Sequence, residues 1–381
     1  MLFNIFVYSF FPLLMISIVI VIHELGHYWA GRLFNASTKS FSMGFGPQIF
    51  GVRDKRGTMW KLSLLPLGGF VSWYNEKFAE EGDPVPEGVL FTDLSPWKRM
   101  VVAIAGPAAN FVLAIAIFAG FSMVFGSPRY EIEVIQVEEG SAAEAAGLLP
   151  GDIFLDINGH DAQRQDRFHQ EIKLSSGKEI YFTVLRGTQE IDLKATPQRA
   201  EMDNGIGITQ KTGKLGIEYR PRLVDRNRLK PIEAVGHGVG ETINTVSTSV
   251  RMISRIISGE ESVHMLSGPV GIANAVGTTA KVSLEQETTF AQRLMILALA
   301  QVELCAFISV AVGFLNILPL PVLDGGQVVF NAYEAVTGRG PSERIQTVSV
   351  SLTLAFLVMM VIVITFGDFQ ETGLLEVFHG L

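Results

Sequence analysis

The sequence predicts a polytopic α-helical membrane protein of about four transmembrane helices, with a membrane-associated β-hairpin or sheet on the cytoplasmic side and an inserted extracytoplasmic α+β domain. Two observations carry this prediction. The 381 residues are 48% hydrophobic and 18% charged, and the mean hydropathy is +0.33, which is more apolar than a typical water-soluble protein. Four stretches are also apolar over about the 20 residues that cross a bilayer, and a polar, glycine-punctuated stretch separates the second from the third.

The predicted spans are residues 2–22, 101–125, 294–323 and 348–366, and only the third holds a charge, Glu303. The first lacks a basic start and a small-residue cleavage site, so we expect a retained helix rather than a signal peptide. The predicted order is transmembrane helix 1 over 1–33, a cytoplasmic or membrane-dipping β segment and loop over 34–96, helix 2 over 97–125, an outer domain over 126–222, an amphipathic helix and connecting segment over 223–290, helix 3 over 291–325, a cytoplasmic loop over 326–344, helix 4 over 345–366, and a periplasmic tail over 367–381.

Orientation follows from the basic residues, which concentrate in 32–99 and recur in the short loop with Arg339 and Arg344. Because cytoplasmic loops carry the excess of Lys and Arg, we expect 32–99 and 324–347 inside, and 126–290 and the tail outside. The net charge of −8 gives no basic footprint for nucleic acid. The lipid bilayer is therefore a predicted partner, and nucleic acid is not.

Two β-rich regions are predicted. Residues 41–73 place β-prone stretches on both sides of the turn-like DKRG, and their glycines and apolar residues suggest that this hairpin dips against the membrane. From residue 130 to about 221, short strands alternate with glycine turns, and GSAAEAAGLLPGDIFLDING resembles a PDZ domain of bacterial proteases. The resemblance implies a peptide or a C-terminus as partner. The alternative is a generic small β domain.

The outer part of the chain ends in two less defined segments. Residues 229–258 have apolar residues at helical spacing, which predicts an amphipathic helix on the outer surface or on the bundle, or a packing helix under the outer domain. The next stretch, HMLSGPVGIANAVG, is glycine-rich and apolar. We expect a re-entrant or connecting turn there.

The chemistry lies in VIVIHELGHYWAG, at the end of the first apolar stretch. On a helix, His23 and His27 are one turn apart and share a face, so two imidazoles reach one Zn²⁺ while Glu24 acts on a bound water. Packed histidines without a metal are the alternative. Three ionisable groups in a span need partners or a metal, which argues against that alternative.

A catalytic zinc site needs a third protein ligand, and NILPLPVLDGGQ offers Asp324. The first and third spans run in the same direction, so their C-terminal ends lie on the same side of the membrane. His23, His27 and Asp324 are then expected at one depth, near the cytoplasmic face. A plain turn at DGG is the alternative for Asp324.

HELGH, PLGGF, AGPAANF and NILPLPVLDGG occur in the order found in bacterial site-2 proteases, which are intramembrane zinc metalloproteases of peptidase family M50. The chain resembles the regulator of sigma-E proteases in this family over nearly its whole length, in a form with one PDZ domain rather than two. The resemblance implies Zn²⁺ bound by His23, His27 and Asp324, and Glu24 as the catalytic acid/base. It also implies substrate binding by Asn316 and by the PLGGF residues Gly68, Gly69 and Phe70.

The function predicted from this resemblance is cleavage of transmembrane segments of single-span proteins in regulated intramembrane proteolysis. The expected substrates are anti-sigma factor-type stubs or remnant signal peptides, and the expected location is the bacterial inner membrane, with the active site toward the cytoplasm and the PDZ domain in the periplasm. An extended substrate could pair with an edge strand around residues 59–71.

Three other functions stay open from the residues. Intramembrane His, Glu and Asp also mark proton relays and transporters, although four spans without an internal repeat argue against a transporter. A catalytically idle scaffold that presents a PDZ domain is the second alternative. The third is an ordinary zinc protease tethered by one helix. Asn110, in the second span, is expected to join helices by hydrogen bonding, with a substrate role as the alternative.

Overall fold

The chain divides into two compact units. A computed structural model describes residues 2–76, 85–203, 209–261, 266, 268–286 and 288–371. The first unit comprises Met1–Ala119, Val235–Ser249 and Leu266–Phe366, and the second comprises Gly120–Ala234, Val250–Met265 and Gly367–Leu381. The helices are α1 (Leu2–Leu33), α2 (Pro96–Val124), α3 (Ala142–Ala145), α4 (Gln165–Leu174), α5 (Pro231–Ile257), α6 (Pro269–Leu284), α7 (Phe290–Ile317), α8 (Asp324–Thr337) and α9 (Glu343–Glu371). The strands are β1 (Thr38–Arg53), β2 (Met59–Trp73), β3 (Ser127–Val137), β4 (Ile153–Ile157), β5 (His160–Asp161), β6 (Ile180–Arg186), β7 (Gln189–Ala195), β8 (Gln198–Asp203), β9 (Thr209–Lys214) and β10 (Ile217–Asn227).

Four stretches among the described residues are long and apolar enough to cross a membrane, and each corresponds to a predicted span. The third ends earlier than predicted, at Ile317 rather than residue 323, because Pro319 and Pro321 have no backbone N–H to continue a helix. The first continues through HELGH to Leu33. The four stretches are Ser9–Leu33, Pro96–Val124, Phe290–Ile317 and Glu343–Phe366.

Two segments predicted as connections contain helices. The glycine-rich stretch after residue 265 forms α6, whose Val276 is buried in one cluster with Met15 and Val19 of α1 and Cys305 of α7. The expected connecting turn is thus a packed helix. Residues 326–344, predicted as a loop, begin with most of α8, which ends at Thr337 and is capped by Gly338 with a left-handed φ of 74°. The parts of the predicted loop and tail at 77–84 and 372–381 lie outside the described residues.

The predicted hairpin is present, and its two strands pair with each other twice. Phe41 pairs with both Val71 and Trp60, and Trp60 also pairs with Val52. Each strand therefore bends back on the sheet, with positive φ at Gly44 and Gly68. The resulting order is residues 48–53, 59–63, 40–43 and 69–73, so residues 69–73 form an edge of this sheet.

Asp54 fixes the hairpin turn to the end of α1. Its Oδ1 accepts hydrogen bonds from the backbone N–H groups of Arg56 and Thr58, at 2.9 and 3.0 Å. Its Oδ2 accepts from the hydroxyl of Tyr28 at 3.2 Å and lies 3.3 Å from a guanidinium nitrogen of Arg32. One carboxylate thus closes the turn and ties it to the helix that carries the histidines.

The second unit is built on an antiparallel sheet in the order β10, β3, β4, β6, β7, with β5 paired to β4. Alternate residues of these strands point to one face, where Ile132, Phe154, Phe182 and Val184 are buried with Phe168 of α4. β8 and β9 form a separate two-stranded hairpin. β10 and β7 are the terminal strands of this order.

A buried ion pair joins α4 to the C-terminal part of α5 within the second unit. The side chain of Glu171 is 4% exposed and accepts hydrogen bonds from both terminal nitrogens of Arg251, at 2.7 and 3.0 Å. Asn158 donates a third at 3.2 Å. Burial acts to raise the pKa of Glu171, but the hydrogen bonds from Arg251 and Asn158 outweigh it and hold the pKa below its ordinary value.

Glu171→Gln should therefore destabilise the second unit, by about 1–2 kcal/mol after allowance for the half-exposed Arg251. Because the folded pKa of Glu171 is depressed, its contribution is present above the pKa of the unfolded state and is lost as the pH falls through the folded pKa. Thermal unfolding of the purified protein followed by circular dichroism should show a lower Tm for the variant at pH 7. The difference should shrink as the pH is lowered below about 4.

Glu179→Gln is the matched control, since Glu179 pairs with Lys194 at 2.9 Å on an exposed surface. Such pairs contribute little, so its Tm at pH 7 should stay close to that of the unchanged protein. Equal losses in the two variants would contradict the role given to the buried pair.

Candidate metal centre and active site

α1 presents His23, Glu24 and His27 in its last third, where the helix is otherwise apolar. Residues four apart lie on one helix face, so the two imidazoles stack one turn apart. Their Nε2 atoms are 3.1 Å from each other. His23 is 6% exposed and His27 is 8% exposed. Both rings are thus buried with their Nε2 atoms facing one point.

Asp324 faces the same point from the first residue of α8. Its Oδ2 lies 2.9 Å from Nε2 of His23, and its Oδ1 lies 3.4 Å from Nε2 of His27. One ligand atom from each of the three residues lies within 4.8 Å of the others. The two histidines and the aspartate, which is about 300 residues away in the sequence, therefore lie together as predicted from the sequence.

The donor set fits a divalent metal ion. Nδ1 of His27 lies 2.8 Å from the carbonyl oxygen of Val102 and donates to it, which leaves a lone pair on Nε2. Oδ2 of Asp324 is buried and receives no hydrogen bond from the described residues. Ligands at about 2.0–2.1 Å from a tetrahedral Zn²⁺ stand about 3.3 Å from each other, close to the spacings found here. A cation between these atoms would satisfy all three.

α2 closes the back of this site. A Cβ on Gly106 would lie less than 3.0 Å from ring atoms of both His27 and His23. Glycine is therefore required for the helix to approach the rings this closely. The amide of Asn110 lies one turn further along α2, with Nδ2 at 3.3 Å from Nδ1 of His23. Gly106 and Val102 were not predicted as site residues, although Gly106 lies in the motif AGPAANF.

The DGG turn brings Asp324 to the site. The chain leaves α7 at Ile317 and re-enters a helix at Asp324. A Cβ on Gly325 would lie less than 3.0 Å from the carbonyl oxygens of Ile317 and Leu318, and one on Gly326 would meet that of Leu320 as closely. Both glycines are thus required for the tight turn between α7 and α8. From the sequence alone, DGG indicated a turn but not these backbone contacts.

Glu24 points to residues 69–73, the edge of the sheet that β1 and β2 form. Its Oε2 accepts a hydrogen bond from the backbone N–H of Val71 at 3.0 Å. Gly68, at the start of the same edge, donates its N–H to the hydroxyl of Ser17 at 3.2 Å. The edge at residues 69–73 therefore runs directly beside the candidate base. Residues 59–62, predicted as part of the edge, are instead paired on both sides.

Two cavities meet at Glu24, His27 and Asp324. The first, of about 340 Å³, is lined also by Ile20, His23, Val312, Asn316, Val322 and Leu323. The second, of about 270 Å³, is lined also by Val71 and Trp73 of the edge strand, by Phe91, by Arg99, Val102 and Ala103 of α2, and by Gln327 and Asn331 of α8. An extended chain that crossed the three shared residues would place one side in each cavity.

The predicted substrate-binding residues have different positions. Asn316 lines the first cavity. Gly68 and Gly69 are buried, and a Cβ on Gly68 would lie 2.9 Å from Ile20 of α1. Phe70 stacks on Phe45, with ring centroids 5.7 Å apart. The two glycines therefore let the sheet edge lie against α1, and their contact with a substrate stays a prediction.

Comparison with known proteins supports the same assignment. The profile of peptidase family M50 matches residues 11–360. The chain belongs to peptidase family M50. A protein of Agrobacterium fabrum with the name "Putative zinc metalloprotease Atu1380" is 33% identical over 372 residues, which cover 94% of each chain. "Metalloprotease MmpA" of Caulobacter vibrioides is 31% identical over 388 residues, which cover 97% of each chain.

Part of this M50 chain is similar to a solved structure. It is the PDZ domain of an SdrC-like protein from Listeria monocytogenes, which matches 23% of this chain and 85% of its own, at 18% identity and a TM-score of 0.19. The resemblance of residues 126–222 to a PDZ domain remains a prediction.

Gly106→Ala should remove metal from the purified protein, because the added methyl group would displace both imidazole rings. We expect a loss of at least about tenfold in zinc affinity, the scale on which disturbed ligand orientation acts, with helix content unchanged by circular dichroism. Metal content after dialysis against a zinc buffer gives the measurement.

Gly120→Ala is the control, since it lies on the same helix and an added Cβ would meet nothing within 4 Å. It should bind zinc like the unchanged protein. Full zinc binding by Gly106→Ala would show that the histidines do not need the close approach of α2.

Proposed function

We propose that this protein is an intramembrane zinc metalloendopeptidase that cuts transmembrane segments of single-span membrane proteins in regulated intramembrane proteolysis. The observation that carries the proposal is the convergence of His23, His27 and Asp324 within 4.8 Å, at the end of a helix apolar enough to span a membrane. Relatives whose names say zinc metalloprotease, such as the Agrobacterium fabrum protein, support zinc as the metal.

In this proposal His23, His27 and Asp324 hold Zn²⁺ through Nε2, Nε2 and a carboxylate oxygen. Three protein ligands leave a fourth position open, as in other catalytic zinc sites. Zinc in such a site polarises a carbonyl and makes a bound water more acidic. The residues of the chain supply the remaining parts of the reaction.

Glu24 is the proposed general base and acid. Its carboxylate is next in sequence to one ligand and lines both cavities with the other two, His27 and Asp324. Glu24 takes a proton from the attacking water and passes it to the leaving amine. Its hydrogen bond to Val71 orients the carboxylate toward the edge strand. Asn316 lines the first cavity and is the proposed donor to the substrate carbonyl.

The edge strand at residues 69–73 is the proposed docking site for the scissile segment. A substrate helix has its backbone groups bonded internally, so it must unwind before attack. Pairing with a sheet edge replaces the lost helical hydrogen bonds. Because Val71 and Trp73 line the cavity that contains Glu24, a segment paired there would lie across the catalytic residues. Gly68, Gly69 and Phe70 support this edge.

The substrates proposed are anti-sigma factor-type stubs and remnant signal peptides, both of which are single spans that remain after an earlier cut. We place the protein in the bacterial inner membrane with residues 32–99 in the cytoplasm, on the distribution of Lys and Arg. The domain over 126–222 is a proposed periplasmic PDZ domain. Its exposed edge strand β10 is suited to bind a peptide or a new C-terminus.

Glu24→Gln tests the proposal. The glutamine keeps the size of the side chain but takes no proton, so cleavage should fall by at least about 100-fold while one zinc per chain is retained. The assay uses purified protein with a panel of single-span reporters, some of the anti-sigma stub type and some signal-peptide remnants. The same variant, cross-linked in cells, should hold uncut membrane fragments for identification by mass spectrometry.

Glu343→Gln, at an exposed position at the start of α9, is the matched control and should cleave normally. Cleavage by Glu24→Gln at the rate of the unchanged protein would remove Glu24 from the mechanism. Failure of the unchanged, zinc-loaded protein to cut any reporter of the panel would contradict the proposed substrate class.

A further inference from the structure

Asn110 has a buried amide that no part of the proposed mechanism uses. The residue is 0% exposed and lies on α2, with Nδ2 at 3.3 Å from Nδ1 of His23. Its backbone carbonyl accepts a hydrogen bond from the hydroxyl of Ser309 on α7 at 3.0 Å. Its Oδ1 is buried and has no hydrogen-bond partner among the described residues. Contacts with α1 and α7 thus fix the position of Asn110, and its amide oxygen has no hydrogen bond from the described residues.

The two histidines differ in what faces their Nδ1 atoms. Nδ1 of His27 faces the carbonyl oxygen of Val102, which can only accept a hydrogen bond. The ring proton of His27 is therefore on Nδ1, and Nε2 keeps a lone pair for a metal. His23 faces a carboxamide, which can donate through Nδ2 or accept through Oδ1. A half-turn of the amide about its Cβ–Cγ bond exchanges these two roles in nearly the same volume.

His23 needs the Asn110 amide as a donor in one state and as an acceptor in the other. When its Nε2 donates to the lone pair on Nε2 of His27, 3.1 Å away, Nδ1 of His23 is a lone pair and requires a donor. When Nε2 binds a metal, the proton must be on Nδ1, which then requires an acceptor. The imidazole is neutral in both states, because one proton leaves Nε2 and one is taken up at Nδ1.

We propose that Asn110 is a positioning residue that turns its amide to stabilise His23 in both tautomers, and so lets the site load and release its metal without leaving a buried polar atom unpaired. The inference rests on the proposed function, since it takes His23 as a zinc ligand. The Oδ1 atom of Asn110, which has no hydrogen bond from the described residues, is the acceptor for Nδ1 of His23 in the metal-bound state. Unpaired buried polar atoms are costly, which is why an apolar residue here would penalise the loaded site.

Asn110→Leu and Asn110→Asp separate the two roles. Leucine neither donates nor accepts, so zinc affinity of the purified full-length protein should fall about 10–100-fold. Aspartate accepts only, so affinity should be at least that of the unchanged protein. The affinity is measured by competition with a chelator, and circular dichroism with size-exclusion chromatography verifies folding.

The tautomer of His23 gives a second readout. In ¹⁵N-histidine-labelled protein, NMR should show a proton on Nε2 of His23 without zinc and on Nδ1 with zinc. In Asn110→Asp the proton should be on Nδ1 in both conditions. Ser309→Ala, which removes the bond to the backbone of Asn110 but keeps the amide, is the matched control and should change zinc affinity less than about twofold.

Zinc binding by Asn110→Leu as tight as in the unchanged protein would overturn the inference, as would binding by Asn110→Asp as weak as by Asn110→Leu. A loss in Ser309→Ala equal to that in Asn110→Leu would also overturn it, because packing alone would then explain the effect. His23→Ala distinguishes the levels: if it keeps full zinc affinity, the proposed metal site itself fails. If it loses zinc while Asn110→Leu does not, only the role of Asn110 fails.

Discussion

The structure depends on three atoms with lone pairs that meet beside the apolar helix α1. Nε2 of His23, Nε2 of His27 and a carboxylate oxygen of Asp324 are all acceptors when the imidazoles carry their protons on Nδ1, and they lie within 4.8 Å of one another. Such a cluster is unfavourable in a span unless a cation lies between its members. Much of the surrounding fold, from the glycine at position 106 to the broken helix before Asp324, holds these atoms together.

The same constraint explains why the site is built from helix ends. Asp324 reaches the histidines because α7 stops at Ile317 and α8 begins at the aspartate itself, and irregular backbone at membrane depth is tolerated where it lines a cavity. The sheet of β1 and β2 then lies against α1, and the backbone N–H of Val71 at its edge donates a hydrogen bond to Glu24. Ligands, candidate base and a sheet edge thus meet at one place, the combination that the proposed hydrolysis of an unwound segment needs.

Much of the fold and of the candidate site could be predicted from the sequence, because apolar length and the HExxH spacing are local signals. The convergence of Asp324 with the histidines was also predictable, since spans of one direction end on one side. Other features were not. α6 begins in a glycine-rich apolar stretch that indicated a turn, and its helix is packed in one cluster with Met15 and Cys305. The role of Asn110 depends on a contact with His23 that crosses 87 positions in the chain, and one sequence gives no signal for such a pair.

X-ray absorption at the zinc edge of the purified, unchanged protein tests the central claim most directly. We expect one zinc per chain with two imidazole nitrogens and oxygen ligands at about 2.0–2.2 Å, including one carboxylate. Replacing Asp324 with alanine should remove one of the oxygen ligands and leave both imidazole nitrogens in the zinc spectrum. A spectrum without imidazole, or one unchanged by that replacement, would contradict the account.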